Sequence, residues 1–300
     1  MPWVSINSCS GISKDFNTLP TPEQKRLLPN CSLPVNVLNI EDLYRILNED
    51  PKICHGEGEK KPIMIEGYYP PKFGVWPTHK LYKITYEVQG VERHTIAKIM
   101  NRRYGTKEFS LLSDLHKFMD VPEPLHFMYD DSFEDEFLDA FGIFWMSYIG
   151  ENIRFEESLL EWCMGERRDK LELEGIRKLL TTLWSAGVKH NDLKGEHLLL
   201  NEEKWYIIDF EKSIPFKGED DIKDELSVFI GDCSVYIDRF VDYSNIVFEG
   251  DIRRRYEVFL YKILDCFNVD IIENRYLSLF TNSIKNKDIR SSIYTCISSF

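Results

Sequence analysis

His190-Asn191-Asp192-Leu193-Lys194-Gly195-Glu196-His197-Leu198-Leu199-Leu200-Asn201-Glu202-Glu203-Lys204-Trp205-Tyr206-Ile207-Ile208-Asp209-Phe210-Glu211 is the segment from which the rest of the chain can be read. Residues 197–200 and 205–209 are short apolar runs joined by a turn that includes Asn201-Glu202-Glu203, so they predict two strands. Asp192 precedes the first run and Asp209 ends the second. His197, five residues after Asp192, is a side chain able to hold a metal. Two carboxylates placed this way suit phosphoryl transfer. One orients or deprotonates an attacking hydroxyl, and the other holds a divalent ion against phosphates. Positioning and charge neutralisation do most of that work.

Upstream, LYKITYEV (81–88) alternates, Gln89-Gly90 makes a turn, and ERHTIAKIM (92–100) returns as the second arm of a hairpin. A helix is expected next, capped by Thr106, with Phe109, Leu112, Leu115 and Met119 on one face and Pro122 and Pro124 ending it. The acidic stretch 130–139 reads as a solvated connection and 141–149 as a buried strand. Beyond Gly150 the period turns helical. Leu173, Ile176, Leu179, Leu180, Leu183 and Trp184 share a face, and Gly187 ends that helix. Helices are expected from about 221 onward, the last near RYLSLF. Residues 1 to about 37 carry five prolines and read as an extension with little structure; short helices are expected near 22–28 and 40–48, and a loop over 50–62. The expected divisions are an N-terminal extension (1–60), a strand-rich lobe (61–149) and a helical lobe (150–300), with ligands in a cleft between the lobes.

His190-Asn191-Asp192-Leu193-Lys194-Gly195-Glu196-His197 resembles the catalytic loop H-x-D-x-K-x-x-N of the protein-kinase-like superfamily, and Asp209-Phe210-Glu211 its metal-binding D-F-G. Ile96-Ala97-Lys98-Ile99 is similar to the strand lysine motif, and Glu108 is placed like the helix glutamate that pairs with it. Trp145 to Gly150 is similar to the hinge that meets adenine. The resemblance covers roughly 80–215 and implies an α+β, bilobal protein-kinase-like fold with a small β-rich N-lobe and a larger, mainly helical C-lobe. It implies ATP and Mg²⁺ or Mn²⁺ as cofactors and a phosphotransferase acting on an alcohol group. Lys98 and Glu108 would serve the α/β phosphates, with Met146, Ser147 and Ile149 at the adenine. Asp209 and His197 would hold the metal. Asp192 would orient the acceptor hydroxyl, and Lys194 would neutralise charge on the moving phosphoryl.

The departures are specific. No G-x-G-x-x-G precedes Lys98, so the phosphate-covering loop is placed only within 66–80. The family's asparagine is His197, a softer ligand than an amide oxygen. The segment after Asp209 is short and no A-P-E follows, which points toward compact small-molecule, sugar, lipid or RIO-like kinases; Lys194 instead is typical of Ser/Thr protein kinases. The alternative is a pseudokinase, using the fold to sense nucleotide or bind protein. Plainer readings stand beside each residue. Asp192 could cap a loop and Asp209 end a strand. Lys98 could be an edge-strand lysine, and Glu108 could answer the helix dipole. His197 could be structural, and Trp145 and Met146 could be plain core. His190 is expected to bond backbone near the metal loop.

The chain has 300 residues, 37 basic and 50 acidic, for a net charge of −13, and 43% are hydrophobic. That suffices for a buried core. The acidic balance argues against nucleic acid as a partner, since phosphate binding needs a basic surface. Arg253-Arg254-Arg255 reads as a solvated helix face. Seven widely spaced cysteines without Cys-x-x-Cys read as free thiols, and no run reaches membrane-spanning length, so a cytoplasmic or nuclear protein is expected. The expected partners are ATP and a hydroxyl-bearing acceptor or partner protein.

Overall fold

The computed structural model describes residues 3–5, 47–49, 52–54, 56–68, 80–129, 141–165, 173–244 and 249–267. The expected helix near 22–28, the acidic connection at 130–139 and the helix near RYLSLF lie outside them, as does most of the phosphate-covering loop. Two compact units emerge. One comprises Met1–Asp114 and Pro122–Tyr148, the other Leu115–Val121 and Ile149–Phe300.

The first unit is built on one antiparallel sheet. Its strands are β1 (Trp3–Ser5), β2 (Lys60–Tyr68), β3 (Lys80–Val88), β4 (Val91–Asn101), β5 (Pro124–Tyr129) and β6 (Phe141–Ser147), in the order β1-β2-β3-β4-β6-β5. The β3–β4 hairpin forms where the alternation placed it. Gln89 and Gly90 both take positive φ (52° and 75°), the turn whose twist matches paired strands. Pro62 and Pro124 fall at a register shift and at a strand start, where a missing N–H is tolerated. Ala97 pairs with Tyr82 and Trp145, and Ile99 with Ile143. These residues share a sheet face with Ile84 and Tyr86, and Leu47, Ile53 and Cys54 complete the core there. Lys98, between Leu81 and Phe144 in the ladder, belongs to the opposite face.

Three expectations change in this part of the chain. Residues 3–5 form an edge strand on β2 rather than unstructured chain, because Trp3, Val4 and Ser5 find the open backbone of Tyr68, Gly67 and Glu66. The loop expected over 50–62 ends early, with β2 starting at Lys60. The helix α1 spans Arg102–Leu115, so Thr106 lies inside it. Its cap is Asn101, whose Oδ1 accepts the Arg103 amide at 2.9 Å. At its far end the Leu115 carbonyl accepts both the Phe118 and Met119 amides, so the chain tightens and leaves the helix before Met119.

The second unit carries α2 (Phe155–Met164), α3 (Leu173–Ser185), α4 (Glu219–Ser244) and α5 (Glu249–Phe267). Its short strands are β7 (Ile153–Arg154), β8 (Val188–Lys189), β9 (Leu198–Asn201), β10 (Lys204–Ile207) and β11 (Ile214–Pro215). They pair as β10-β9-β7 and β11-β8. The buried face of α3 is the one the leucine spacing predicts. Phe155 centres the packing, its ring 5.1 Å from Phe229, 5.6 Å from Trp205 and 5.8 Å from Phe259. Hence α2, β10, α4 and α5 share one aromatic core. Arg254 and Arg255 are exposed, as a solvated face requires. Cys54, Cys163, Cys233 and Cys266 are free thiols. Among the described residues no helix is long and apolar enough to cross a membrane.

Candidate active site

In the first unit, β4 and α1 bring Lys98 and Glu108 together. Lys98 Nζ donates to Glu108 Oε2 at 2.9 Å, with the two side chains 6% and 1% exposed. Lys98 is on an inner strand, which removes the edge-lysine reading. Glu108 is not in the first turn of α1, so the helix dipole does not account for it. Phe109 packs edge-on against Phe144 at 6.0 Å and fixes the helix on that sheet face. Ion pairs this deeply buried survive only when both partners are kept, because either charge alone is left in a dry environment.

The residues of the expected hinge bond within the chain. Met146 is buried, and its carbonyl accepts the Thr95 hydroxyl at 3.0 Å. The Ser147 amide donates to the Glu123 carbonyl at 2.9 Å, and the Ser147 hydroxyl accepts the Glu123 amide at 2.8 Å. In the second unit the Ile149 carbonyl accepts a hydrogen bond from Asn201 Nδ2. Trp145 is fully buried core.

The second unit gathers Asp192, Lys194, His197 and Asp209. The loop after β8 and the end of β10 are tied to each other by the side chains of the motif itself. His190 Nε2–H donates to the Ile208 carbonyl at 2.9 Å, the backbone role the sequence predicts. Burial above all, then the nearby His197, pushes His190 down to about 4, while the bond to Ile208 pulls the other way. The ring is therefore neutral near pH 7. Asn191 and Asp209 both take left-handed backbone, with φ 64° and 68°. Asn and Asp tolerate that conformation better than other side chains, and such residues gather at functional sites.

His197 sits in a 3-10 turn (Gly195–His197) just before β9. Its Nδ1–H donates to the Asp192 carbonyl at 2.9 Å, which leaves the lone pair of the neutral ring on Nε2. Nε2 lies 3.4 Å from Asp209 Oδ2. This is the tautomer a metal ligand needs, held by a backbone acceptor as ligating imidazoles usually are. Single ligand atoms of Asp192, His197 and Asp209 all lie within 4.8 Å of one another. Opposite ligands on Mg²⁺ stand about 4.2 Å apart. Adjacent octahedral ligands stand closer, about 3 Å apart, so the three atoms would draw together to share one cation, with two oxygens and one nitrogen as donors.

Asp192 Oδ2 accepts from Lys194 Nζ at 3.1 Å and from Lys212 Nζ at 2.9 Å. Burial works to raise the Asp192 carboxyl, but these two ammonium groups hold it below the usual carboxylate range. Lys194 is partly desolvated, yet its bond to Asp192 keeps it above the ordinary lysine value. Both groups stay charged at neutral pH.

Three residues escaped the sequence reading. Lys212 is one. Glu225 on α4 is another: its Oε2 accepts Trp184 Nε1 at 2.6 Å and its Oε1 accepts the Asn191 amide at 2.7 Å. Burial raises its carboxyl above the normal value, against the pull of those bonds. The third is Asp232, whose Oδ2 accepts the Gly195 amide at 3.1 Å. Glu225 was legible in principle, since Phe229 four residues on lies on the buried face of the same helix. The acidic run around it reads as solvated surface. No periodic cue marks Lys212.

Residues 78–226 match the family model described as the lipopolysaccharide kinase (Kdo/WaaP) family. Curated protein sequences returned no match. A solved structure titled "WaaP in complex with acyl carrier protein" resembles the chain at 14% identity with a TM-score of 0.43, covering 85% of this chain and 97% of that one.

Proposed function

Since the chain belongs to the protein-kinase-like superfamily, we propose that it transfers the γ-phosphoryl group of ATP to a hydroxyl acceptor. The observation that carries this reading is the convergence of Asp192, His197 and Asp209, with His197 Nε2 3.4 Å from Asp209 Oδ2. Asp209 and His197 would hold Mg²⁺ or Mn²⁺, with Asp192 within reach. When bound, such a cation neutralises phosphate charge.

Asp192 is the proton acceptor in this reading. The acceptor oxygen bonds to the γ-phosphorus as the bond from phosphorus to the β–γ bridging oxygen breaks. The hydroxyl proton passes to the Asp192 carboxylate, and ADP leaves. Lys194, 3.1 Å from that carboxylate, faces the charge on the transferring group. Lys98, fixed by Glu108, serves the α/β phosphates. The match to a lipopolysaccharide kinase family supports a sugar hydroxyl as acceptor.

The test is turnover of labelled ATP with Mg²⁺ or Mn²⁺ against a panel of saccharide acceptors. Asp192→Ala is expected to lower kcat by about a thousandfold, the scale of losing a positioned general base. Undiminished turnover in that variant would remove the assigned base. Metal-dependent ATP binding without phosphoryl transfer to any hydroxyl would favour the pseudokinase alternative.

A further inference from the structure

Lys212 is placed with more care than a surface lysine needs. Its side chain is 49% exposed, but it follows buried Glu211 and precedes buried Ser213. Asn191 Nδ2 donates to the Lys212 carbonyl at 3.2 Å, tying its main chain to the residue just before Asp192. Ser213 donates through its amide to the Phe210 carbonyl at 3.1 Å and through its hydroxyl to the His190 carbonyl at 3.4 Å. The ammonium group then reaches Asp192 Oδ2, an oxygen that already accepts from Lys194. An exposed ion pair contributes little to stability, and an anchored backbone on both sides is not required to make one.

Charge supplies the reason. Asp192 and Asp209 put two negative charges where a phosphoryl group would be received, and Lys194 offsets one of them. A divalent cation on Asp209 and His197 would offset much of that charge, and a cation beside Asp192 adds attraction for the γ-phosphate itself. Lys212 brings these four side chains to neutrality. Both ammonium groups sit on Asp192 Oδ2, so an acceptor hydroxyl meets that oxygen only after one of them moves, while Oδ1 carries neither. Lys212 is the more exposed of the two, at 49% against 30% for Lys194.

Resting on the phosphotransferase reading, we propose that Lys212 is a second phosphate-binding cation, which leaves Asp192 for the γ-phosphate of bound ATP and thereby frees Oδ2 of that carboxylate for the acceptor hydroxyl. Its contact is with the γ-phosphate, so its loss discriminates between nucleotides.

Calorimetric titration of the full chain with ATP and with ADP, each with Mn²⁺, tests this in wild type, Lys212→Ala and Lys212→Arg. Lys212→Ala is expected to weaken ATP about tenfold, the size of one charge-assisted contact, and to leave ADP unchanged. Lys212→Arg is expected to keep ATP binding near wild type. A merely structural lysine would move both nucleotides alike, and that result, or no change in either, overturns the proposal. Wild type that binds ADP and ATP while Lys212→Ala behaves identically sinks this inference alone. Wild type that binds neither sinks the phosphotransferase reading and this inference with it.

Discussion

Lys98 and Glu108 show how one buried pair constrains substitution. Each is almost fully enclosed, and the two side chains meet at 2.9 Å. Lys98→Met should destabilise the chain by about 3 kcal/mol, because Glu108 is then a buried charge without its cation. Adding Glu108→Gln should recover most of that loss, as removing both charges usually costs far less than removing one. Denaturant midpoints of the two single variants and the double variant measure the coupling. Additive losses would mean that the pair does not govern the local energetics. Around Asp192 and His197 the individual side chains act instead through geometry. His197 is oriented by its Nδ1–H bond to one backbone acceptor, and Asp192 is kept ionised by two lysines.

Helix α1 illustrates how a secondary element acquires its position. Asn101 starts it, and Gly105 lets it approach β5. A Cβ at Gly105 would stand 2.3 Å from Phe127 Cζ and 2.4 Å from Cε2. Gly105→Ala gains about 1 kcal/mol of helix propensity, but overpacking a filled site costs about 1–3 kcal/mol. The contacts fall on a buried ring, so the steric cost should win, and the variant should melt lower than wild type. It should also weaken ATP binding, because α1 carries Glu108. A higher melting temperature would show that Phe127 moves aside freely. Elements of this kind were partly legible: the periodicity located the helix and its buried side. Its start was misplaced because Thr106 and Asn101 are both good caps, and local pattern does not say which the sheet leaves free.

The stability of the entire chain should carry the signature of His190. This ring is held near a pKa of about 4 in the folded state, chiefly by burial, against roughly 6.5 when unfolded. Between those values the unfolded chain takes up a proton that the folded chain refuses. Stability therefore falls as pH drops below about 6.5 and levels off below about 4, for a total near 3 kcal/mol. Urea midpoints from pH 7.5 to 4.5 measure it, and His190→Gln, which keeps a donor for the Ile208 carbonyl, should flatten the dependence. An unchanged slope in that variant would assign the effect elsewhere. Asp192 adds a further loss at lower pH, as its carboxyl, held down by Lys212 and Lys194, is protonated.

Strand alternation, helical spacing and the order of the lysine, glutamate and aspartate motifs were sufficient to read the strand-rich and helical regions and the type of chemistry. Those features are local, fixed by backbone period and by what a reaction requires of a short loop. Folding settled the partners that meet across long stretches of chain: Lys212 on Asp192, Glu225 beneath Asn191, Trp3–Ser5 along β2. Lys212 and Glu225 look like ordinary surface residues in the linear order, and Trp3–Ser5 stands in a proline-rich stretch with no strand alternation around it. Only packing determines which charge is desolvated, which backbone edge is open, and therefore which of them acquires a partner.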